Sequence, residues 1–381
     1  MRRLLAPLTL ALLAAAPALG APVVAIQDDQ ASNDPTPEAI AYRASQLAST
    51  GAKWTRVDID WSYVAPTRPA DPENPDDPAY DWSRYDTMFS ALHDRGVSVM
   101  VTLLGTPPWA SATGRWNAAP NAAYGGAFAG AVARRYSGSW TKTGGGGVLP
   151  AVRSISPRNE PNIDLMTSPQ CRRLANGRWV PASPKAYAAL LRAAYPRIKF
   201  WNPKAIVVAG ETAAGDNGGC RNSSTTIGTF DFVKLLHKEL GGGRRVPFDA
   251  WAQHMHPVGP PDRAAFFPSW RTLPQLTTLV NRMHPKGRMP IIISETSYAT
   301  TYTAYQRYFV TEAQQAAFID LTYKLAARQP QVEVVVYFNL QDHRAWSAGL
   351  FRDDWTAKPS LEVFRRRALS TPLPPKWASL L

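Results

Sequence analysis

The chain has 381 residues, enough for one large α/β barrel or two smaller domains, and its 45% hydrophobic and 19% charged residues exclude a disordered or fibrous protein. A formal net charge of +13 would suit an anionic partner, but the arginines are dispersed and no Lys/Arg tract or RNA-binding motif appears. No nucleic acid is expected, and the charge reads as an Arg-rich solvated surface.

Arg2 and Arg3, the apolar stretch Leu4 to Ala16 and the small residues Ala18-Leu19-Gly20 read as a signal peptide over residues 1–21, cut near Ala21. No other segment approaches ~20 apolar residues, so no membrane span is expected. The expected product is an exported, soluble, monomeric domain over residues 22–381. Cys171 and Cys220 suit an oxidising compartment and could form one disulfide, with two free thiols as the alternative.

Pro22 to Ile26 is a short apolar strand. Asp34-Pro35-Thr36-Pro37-Glu38 opens a helix that runs to about Ser49 and ends at Gly51. Lys53 to Asp60 is the second strand; its alternation puts Arg56, Asp58 and Asp60 on one face and Val57 and Ile59 on the other. The Pro/Asp-rich segment Asp71 to Asp81 is a loop. Trp82 to Arg95 is an amphipathic helix, and Val97 to Leu104 the third strand. A helix from about Asn121 to Tyr136 and a Gly-rich turn, Gly144 to Gly147, lead to the fourth strand, Leu149 to Ile155.

Ile163 to Pro184 reads as a long loop, Pro184 to Phe200 as a helix. Lys204 to Gly210 is the fifth strand, ending at Glu211, so a Cys171–Cys220 bridge would join the loops after strands four and five. A helix (Phe230 to Leu240) precedes strand six, Phe248 to Gln253, which ends in His254-Met255-His256-Pro257. A helix (Pro274 to Met283) precedes strand seven, which runs from Pro290 into Glu295. The helix Thr311 to Arg328, strand eight (Val332 to Phe338) and a helix near Ser360 to Arg367 complete the chain. Eight strands, each followed by a helix, imply a parallel sheet, and at this length a closed (β/α)8 TIM barrel of the α/β class. The rival, an open doubly wound sheet, lacks a Gly-rich phosphate turn after its first strand.

In such a barrel the strand C-termini share one mouth, where Glu160, Glu295, His254, His256, Trp109, Arg56 and Asp60 map. Glu160 lies in Asn159-Glu160-Pro161-Asn162 after strand four, and Glu295 follows Ile291-Ile292-Ile293-Ser294. Two carboxylates delivered by strand ends are what glycoside hydrolysis needs, one as proton donor and one as nucleophile or base. Each also has a plainer reading: a structural strand-end glutamate, an Arg56 that neutralises Asp58 and Asp60, and tryptophans buried as core. Glu211 reads equally as a substrate contact or a loop ion pair. His254 and His256 could converge on a metal, but no metal or cofactor is expected. His93, His237, His284 and His343 read as surface or helix residues.

Asn159-Glu160-Pro161-Asn162 together with Ser294-Glu295-Thr296-Ser297-Tyr298 resembles clan A of the glycoside hydrolases, family 39 most, with family 5 close behind. The resemblance implies a retaining (β/α)8 enzyme with Glu160 as acid/base and Glu295 as nucleophile. It implies that Asn159 holds a sugar 2-hydroxyl, that Arg56 contacts the nucleophile, and that His254 and His256-Pro257 occupy the strand-six position that orients it. Gly349-Leu350-Phe351 and Lys358-Pro359 look like the family ending after strand eight. The chain departs from the pattern at Arg158, where relatives carry tryptophan or glycine, and at Phe338, where they carry tryptophan, with Trp346 a few residues on. Trp61, Trp109, Trp116 and Trp346 fall on mouth loops, where flat indoles suit the C–H faces of sugars; Trp61, Trp109 and Trp346 are expected to bind substrate. The expected partner is a polysaccharide or oligosaccharide. A carbohydrate-binding barrel without turnover and a metal-dependent hydrolase are the competing expectations.

Overall fold

Eight apolar runs, each able to bury both faces, require helices outside and a filled interior. The protein, described by a computed structural model over residues 21–31, 33–141, 147–214, 219–263, 265 and 267–380, meets that requirement by closing the sheet. The expected signal peptide, apart from Ala21, and Gly144 to Gly146 of the Gly-rich turn lie outside the described residues.

The strands are β1 (Val23–Gln27), β2 (Trp54–Asp60), β3 (Ser98–Leu104), β4 (Ser154–Ser156), β5 (Cys171–Arg173), β6 (Trp179–Pro181), β7 (Ile206–Thr212), β8 (Ala250–Met255), β9 (Ile291–Thr296) and β10 (Val332–Phe338). All but β5 and β6 form a closed parallel barrel in the order β1-β10-β9-β8-β7-β4-β3-β2. Around it lie α1 (Pro37–Ser49), α2 (Trp61–Val64), α3 (Ser83–His93), α4 (Ala122–Arg135), α5 (Ser183–Trp201), α6 (Thr229–Glu239), α7 (Leu273–Asn281), α8 (Glu312–Ala326), α9 (Pro359–Ser370) and α10 (Pro375–Ala378). The expected (β/α)8 architecture is thus the observed one.

Period-2 alternation sorts the strand side chains. Val57, Ile59, Val99, Val101, Val207, Ile291 and Ile293 face the helices. Val23, Ala25, Trp54, Met100, Ile206, Val208, Ala250, Ala252, Ile292, Val334 and Val336 fill the interior. Beneath them the C-terminal turn brings Trp377 edge-on to Trp54, with ring centroids 5.2 Å apart, and closes the barrel floor. Its indole N–H donates to Glu333.

Two expectations are revised. The fourth strand is shorter than Leu149 to Ile155. Leu149 and Val152 donate their amides to Trp140 and Tyr136, at and beyond the end of α4, and only Ser154 to Ser156 pairs with β3. The segment from Ile163 to Pro184 is not all loop: β5 and β6 pair antiparallel within it. That hairpin is tied to the β7–α6 loop by the Cys171–Cys220 disulfide, which closes a loop of 49 residues.

Cross-linking a loop of that length stabilises a fold by about 4 kcal/mol on the chain-entropy account. The double variant Cys171→Ser/Cys220→Ser should therefore melt several degrees below the wild type in calorimetry, and reductant should lower the wild type to the same point. Identical melting of variant and wild type would show that the bridge constrains nothing.

Candidate active site

The apolar interior gives way to charge one residue pair above Trp54. Arg56, fully buried, is the centre of this layer. It reaches inward from β2 because alternation places it on the Trp54 face. Its NH1 donates to Glu295 Oε1 at 2.9 Å, and NH2 donates to Asn159 Oδ1 at 2.9 Å and Glu211 Oε2 at 3.1 Å. Its Nε donates to Thr102 Oγ1 at 3.0 Å, and Asp58 Oδ1 lies 3.1 Å from NH2. Gln27 Oε1 accepts a further bond from NH1.

Strict alternation would send Glu211 and Glu295 outward, with Val207 and Ile293. Both are turned inward by an extra residue in the strand. Gly210 and Thr212 align with the consecutive residues Ala252 and Gln253, so Glu211 bulges from β7. In β9, Ile293 aligns with Gln253 and Glu295 with His254, which leaves Ser294 unmatched. Bulges re-aim side chains in this way. In β7 the bulge needs a left-handed backbone. Gly210 has φ +100°, and a Cβ there would lie 2.4 Å from the Ala252 carbonyl; Glu211 follows at φ +46°.

Glu160 lies beyond the end of β4, at φ +39°. A non-glycine residue held there costs on the order of 1–3 kcal/mol and persists only where its surroundings fix it. Here the surroundings are the rest of the motif. The Asn159 amide donates to the Leu103 carbonyl. Buried Asn162 donates to the Ala213 and Ile227 carbonyls at 2.9 and 3.0 Å and accepts from the Ala213 amide, locking the turn to the loop after β7. Arg158, also buried, binds Thr106 Oγ1 and Thr167 Oγ1 at 2.9 and 3.1 Å, with Met166 and Ala118 carbonyls completing its partners. It joins the loops after β3 and β4, and burial lowers its pKa to about 10.

Fully buried His254 links the two glutamates. Its Nδ1 lies 2.8 Å from Glu160 Oε1 and 3.6 Å from Glu295 Oε2. Those oxygens are therefore separated by no more than the two distances together, about 6.4 Å, so one imidazole brings the two carboxylates to the same side of the mouth. His256 Nε2 lies 3.1 Å from Glu295 Oε2, and its Nδ1 lies 2.9 Å from Ser297 Oγ. Trp346 donates to the same Ser297 Oγ at 3.2 Å, with its ring 5.0 Å from His256 and 5.2 Å from Phe338.

The two oxygens of Glu295 thus have different company, a guanidinium on Oε1 and imidazoles on Oε2. Burial alone would raise its pKa; the charges of His254 and Arg56, with the His256 hydrogen bond, overcome that and hold it near 2. Burial works against a charged His254, but Glu295 and Glu160 raise its pKa. For Arg56, too, burial is outweighed by Asp58, Glu211 and Glu295, which push it above the ordinary arginine range. Asp58 goes the other way: burial drives it up to about 7, Arg56 opposes this, and Glu295 and Glu211 add to it.

Of the residues expected to contribute, Glu160, Glu295, Asn159, Arg56, His254, His256 and Trp346 meet at this mouth. Trp61 does not. It is 4% exposed and stacked on Phe128 at 5.0 Å, so it presents no face to a sugar. Trp109 is half-buried, with its indole N–H on the Ala65 carbonyl and its ring against Trp61 and Tyr124. Asp60 caps α2 and accepts from the Trp116 indole at 2.9 Å instead of joining Arg56. Gln27, Thr102 and Ser297 belong to the site without having been singled out. Glu211 is resolved as a buried partner of Arg56; its signal was the small residue-Glu-Thr ending of an apolar strand, shared by Gly210-Glu211-Thr212 and Ser294-Glu295-Thr296. Among the described residues one donor group could hold a metal: ligand atoms of His254, His256 and Glu295 lie within 4.8 Å of one another.

No protein-family model and no curated protein sequence matches this chain. Among solved structures it is similar to a family 39 glycoside hydrolase from the gut symbiont Bacteroides cellulosilyticus (TM-score 0.60, 16% identity), over 92% of this chain and 64% of that one. It is also similar to a GH39 β-xylosidase from Caulobacter crescentus (TM-score 0.56, 17% identity, 90% and 70% covered). A third is a GH5_18 protein from Streptomyces cattleya in complex with GlcNAc (TM-score 0.58, 16% identity, 93% and 82% covered). The chain spans a little under two thirds of the first of these. The fold is therefore the barrel shared by family 39 and family 5, as the resemblance implied.

Asp58 supplies a pH test. A carboxyl whose pKa rises on folding stabilises the fold in its protonated form; that contribution is complete below its usual 3.8 and is lost as pH climbs through about 7. Wild-type stability relative to Asp58→Asn, from chemical denaturation, should fall between about pH 4 and about pH 8. A constant difference over that interval would refute the protonated assignment.

Proposed function

We propose that this chain is a retaining glycoside hydrolase that cleaves β-glycosidic bonds of a polysaccharide or oligosaccharide by double displacement. The observation that carries the reading is the approach of Glu160 and Glu295 through one imidazole, with an upper limit of about 6.4 Å between their bridged oxygens. The likeness of the barrel to those of family 39 and family 5 supports it.

In the first step Glu295 forms a bond to the anomeric carbon as the glycosidic C–O bond breaks, and protonated Glu160 gives its proton to the departing oxygen. In the second, Glu160 takes a proton from water, whose oxygen displaces Glu295 from the same carbon. A pKa near 2 keeps Glu295 ionised and ready to attack. Arg56 on Oε1 aims the carboxylate, leaving Oε2 toward the histidines and the substrate space. Asn159, held by Arg56, is the group for the sugar 2-hydroxyl, and Trp346 the platform beside it. Glu211 and Thr102 brace the guanidinium and stand behind the reacting atoms.

Residues 1–21 act as a signal peptide, and the mature protein is exported as a soluble monomer. The disulfide accords with that, and no helix among the described residues is long and apolar enough to cross a membrane. The three-donor group at His254 gives a second reading, metal-assisted hydrolysis. It is weaker because His254 Nδ1 is engaged with Glu160, while its buried Nε2 has no partner to take the imidazole proton if Nδ1 bound a metal. A chelator that abolishes turnover would favour it.

Glu160→Gln and Glu295→Gln should each lower kcat on aryl β-glycosides by roughly 10²–10⁴ or more while circular dichroism shows an intact fold. NMR of the released sugar should show retained configuration. Full activity in either variant, or an inverted product, would end the assignment; binding without any release of reducing sugar would leave a carbohydrate-binding barrel.

A further inference from the structure

The loop between β9 and α8 turns its aromatic rings to solvent. Tyr302, Tyr305 and Phe309 are 64%, 66% and 53% exposed, in a protein that buries Tyr298, Tyr323, Tyr337 and Phe338 close by. Three large rings left exposed within one loop are a candidate binding surface.

This loop is firmly held. Thr300 donates to the Ser347 carbonyl through its amide and through its hydroxyl, at 2.9 and 3.0 Å. Ser347 Oγ donates to the Thr301 carbonyl at 2.8 Å and accepts from the Thr301 amide at 3.2 Å, and Gln306 Oε1 accepts from the Ser347 amide at 3.0 Å. Lys358, buried, donates to Thr300 Oγ1 at 2.8 Å from below. Five of these ties converge on Ser347, the neighbour of Trp346, which stands on His256, and the Val310 amide closes the loop on the Ala299 carbonyl at 2.9 Å. The loop that carries the exposed rings is thus anchored to the residue next to Trp346, beside the mouth.

The composition selects the occupant. From Thr296 to Thr311 there is no Asp or Glu, and Arg307 is the sole cation. Rings alternate with Thr and Gln hydroxyls and amides, with no aliphatic cluster for a protein helix and no basic patch for a lipid surface or nucleic acid. Such a face matches a neutral polymer with apolar C–H faces and many hydroxyls.

We propose that Tyr302, Tyr305 and Phe309 form a docking surface for a neutral polysaccharide chain, binding sugar units beyond those at the glutamates. The proposal rests on the glycosidase reading and adds that the substrate is a polymer longer than the mouth. The rings bind the chain ahead of cleavage, so they act on KM for long substrates and have no part in the chemical step.

The test uses the full chain, the variant Tyr302→Ala/Tyr305→Ala/Phe309→Ala, and the ring-preserving Tyr302→Phe/Tyr305→Phe. Each is assayed on aryl β-monoglycosides and on xylan, β-mannan and mixed-linkage β-glucan. Each is also run, in a Glu295→Gln background, on native gels containing those polymers. The alanine variant should keep kcat/KM on the monoglycoside within about twofold, raise KM on the polymer about tenfold and lose its retardation, while the phenylalanine variant keeps both. Equal losses on short and long substrates, unchanged KM on the polymer, or no retardation of the parent by any of the three would overturn the docking surface. A wild type that cleaves nothing but is retarded, with retardation lost in the alanine variant, would remove the glycosidase reading and leave the docking surface standing.

Discussion

A single buried guanidinium organises the upper half of this barrel. Arg56, itself closed off from solvent, faces Asp58, Glu211 and Glu295, with Gln27, Asn159 and Thr102 taking up what remains of its hydrogen-bonding capacity. Removing it would leave three acids crowded in low dielectric, a cost on the order of 3–5 kcal/mol for even one uncompensated charge. Six different strands or strand ends contribute to its shell. The ion cluster is thereby both the keystone of the barrel and the device that fixes the charge state of Glu295, so the stability of the fold and the ionisation of that carboxylate cannot be tuned apart.

The acids sit under conformational tension. Glu160 and Glu211 both occupy left-handed backbone, and Glu211 and Glu295 both depend on an extra residue in the strand. In each case a neighbour holds the geometry: Asn162 under Glu160, Gly210 before Glu211, the His254 pairing beside Glu295. The fold thus places the irregularities that carry acids at one rim, while the opposite end, apart from one register shift between Val332 and Val334, is held by apolar packing. Positional precision at the carboxylates is obtained from hydrogen bonds donated by the loops, with the regular strands serving as a rigid base.

Sequence pattern reached far in some places and stopped short in others. Eight apolar runs with intervening amphipathic helices were enough for the closed barrel, because burial on two faces leaves few other arrangements. Glu160 and Glu295 stood out through their neighbours, and Arg56 through its position on an alternating strand. The inward turn of Glu211 and Glu295 was not legible, since alternation taken alone points both outward and a bulge leaves no compositional mark beyond a small preceding residue. Trp61 went wrong for a related reason: a strand-end indole can serve a mouth or a core, and only the packing of Phe128 decides which. The hairpin of β5 and β6 was hidden because three-residue strands carry too little periodicity to register.

Closure of the ring pairs the beginning of the chain with its end: Val23 aligns with Val334, and Trp377 seals the floor later still. Contacts of such long sequence separation form slowly. Until β10 and the turn at Trp377 are in place, β1 is paired on one side only and the underside of the sheet stands open. The ring therefore shuts as one late event, in which the wall at β1 and the floor at Trp54 are completed together.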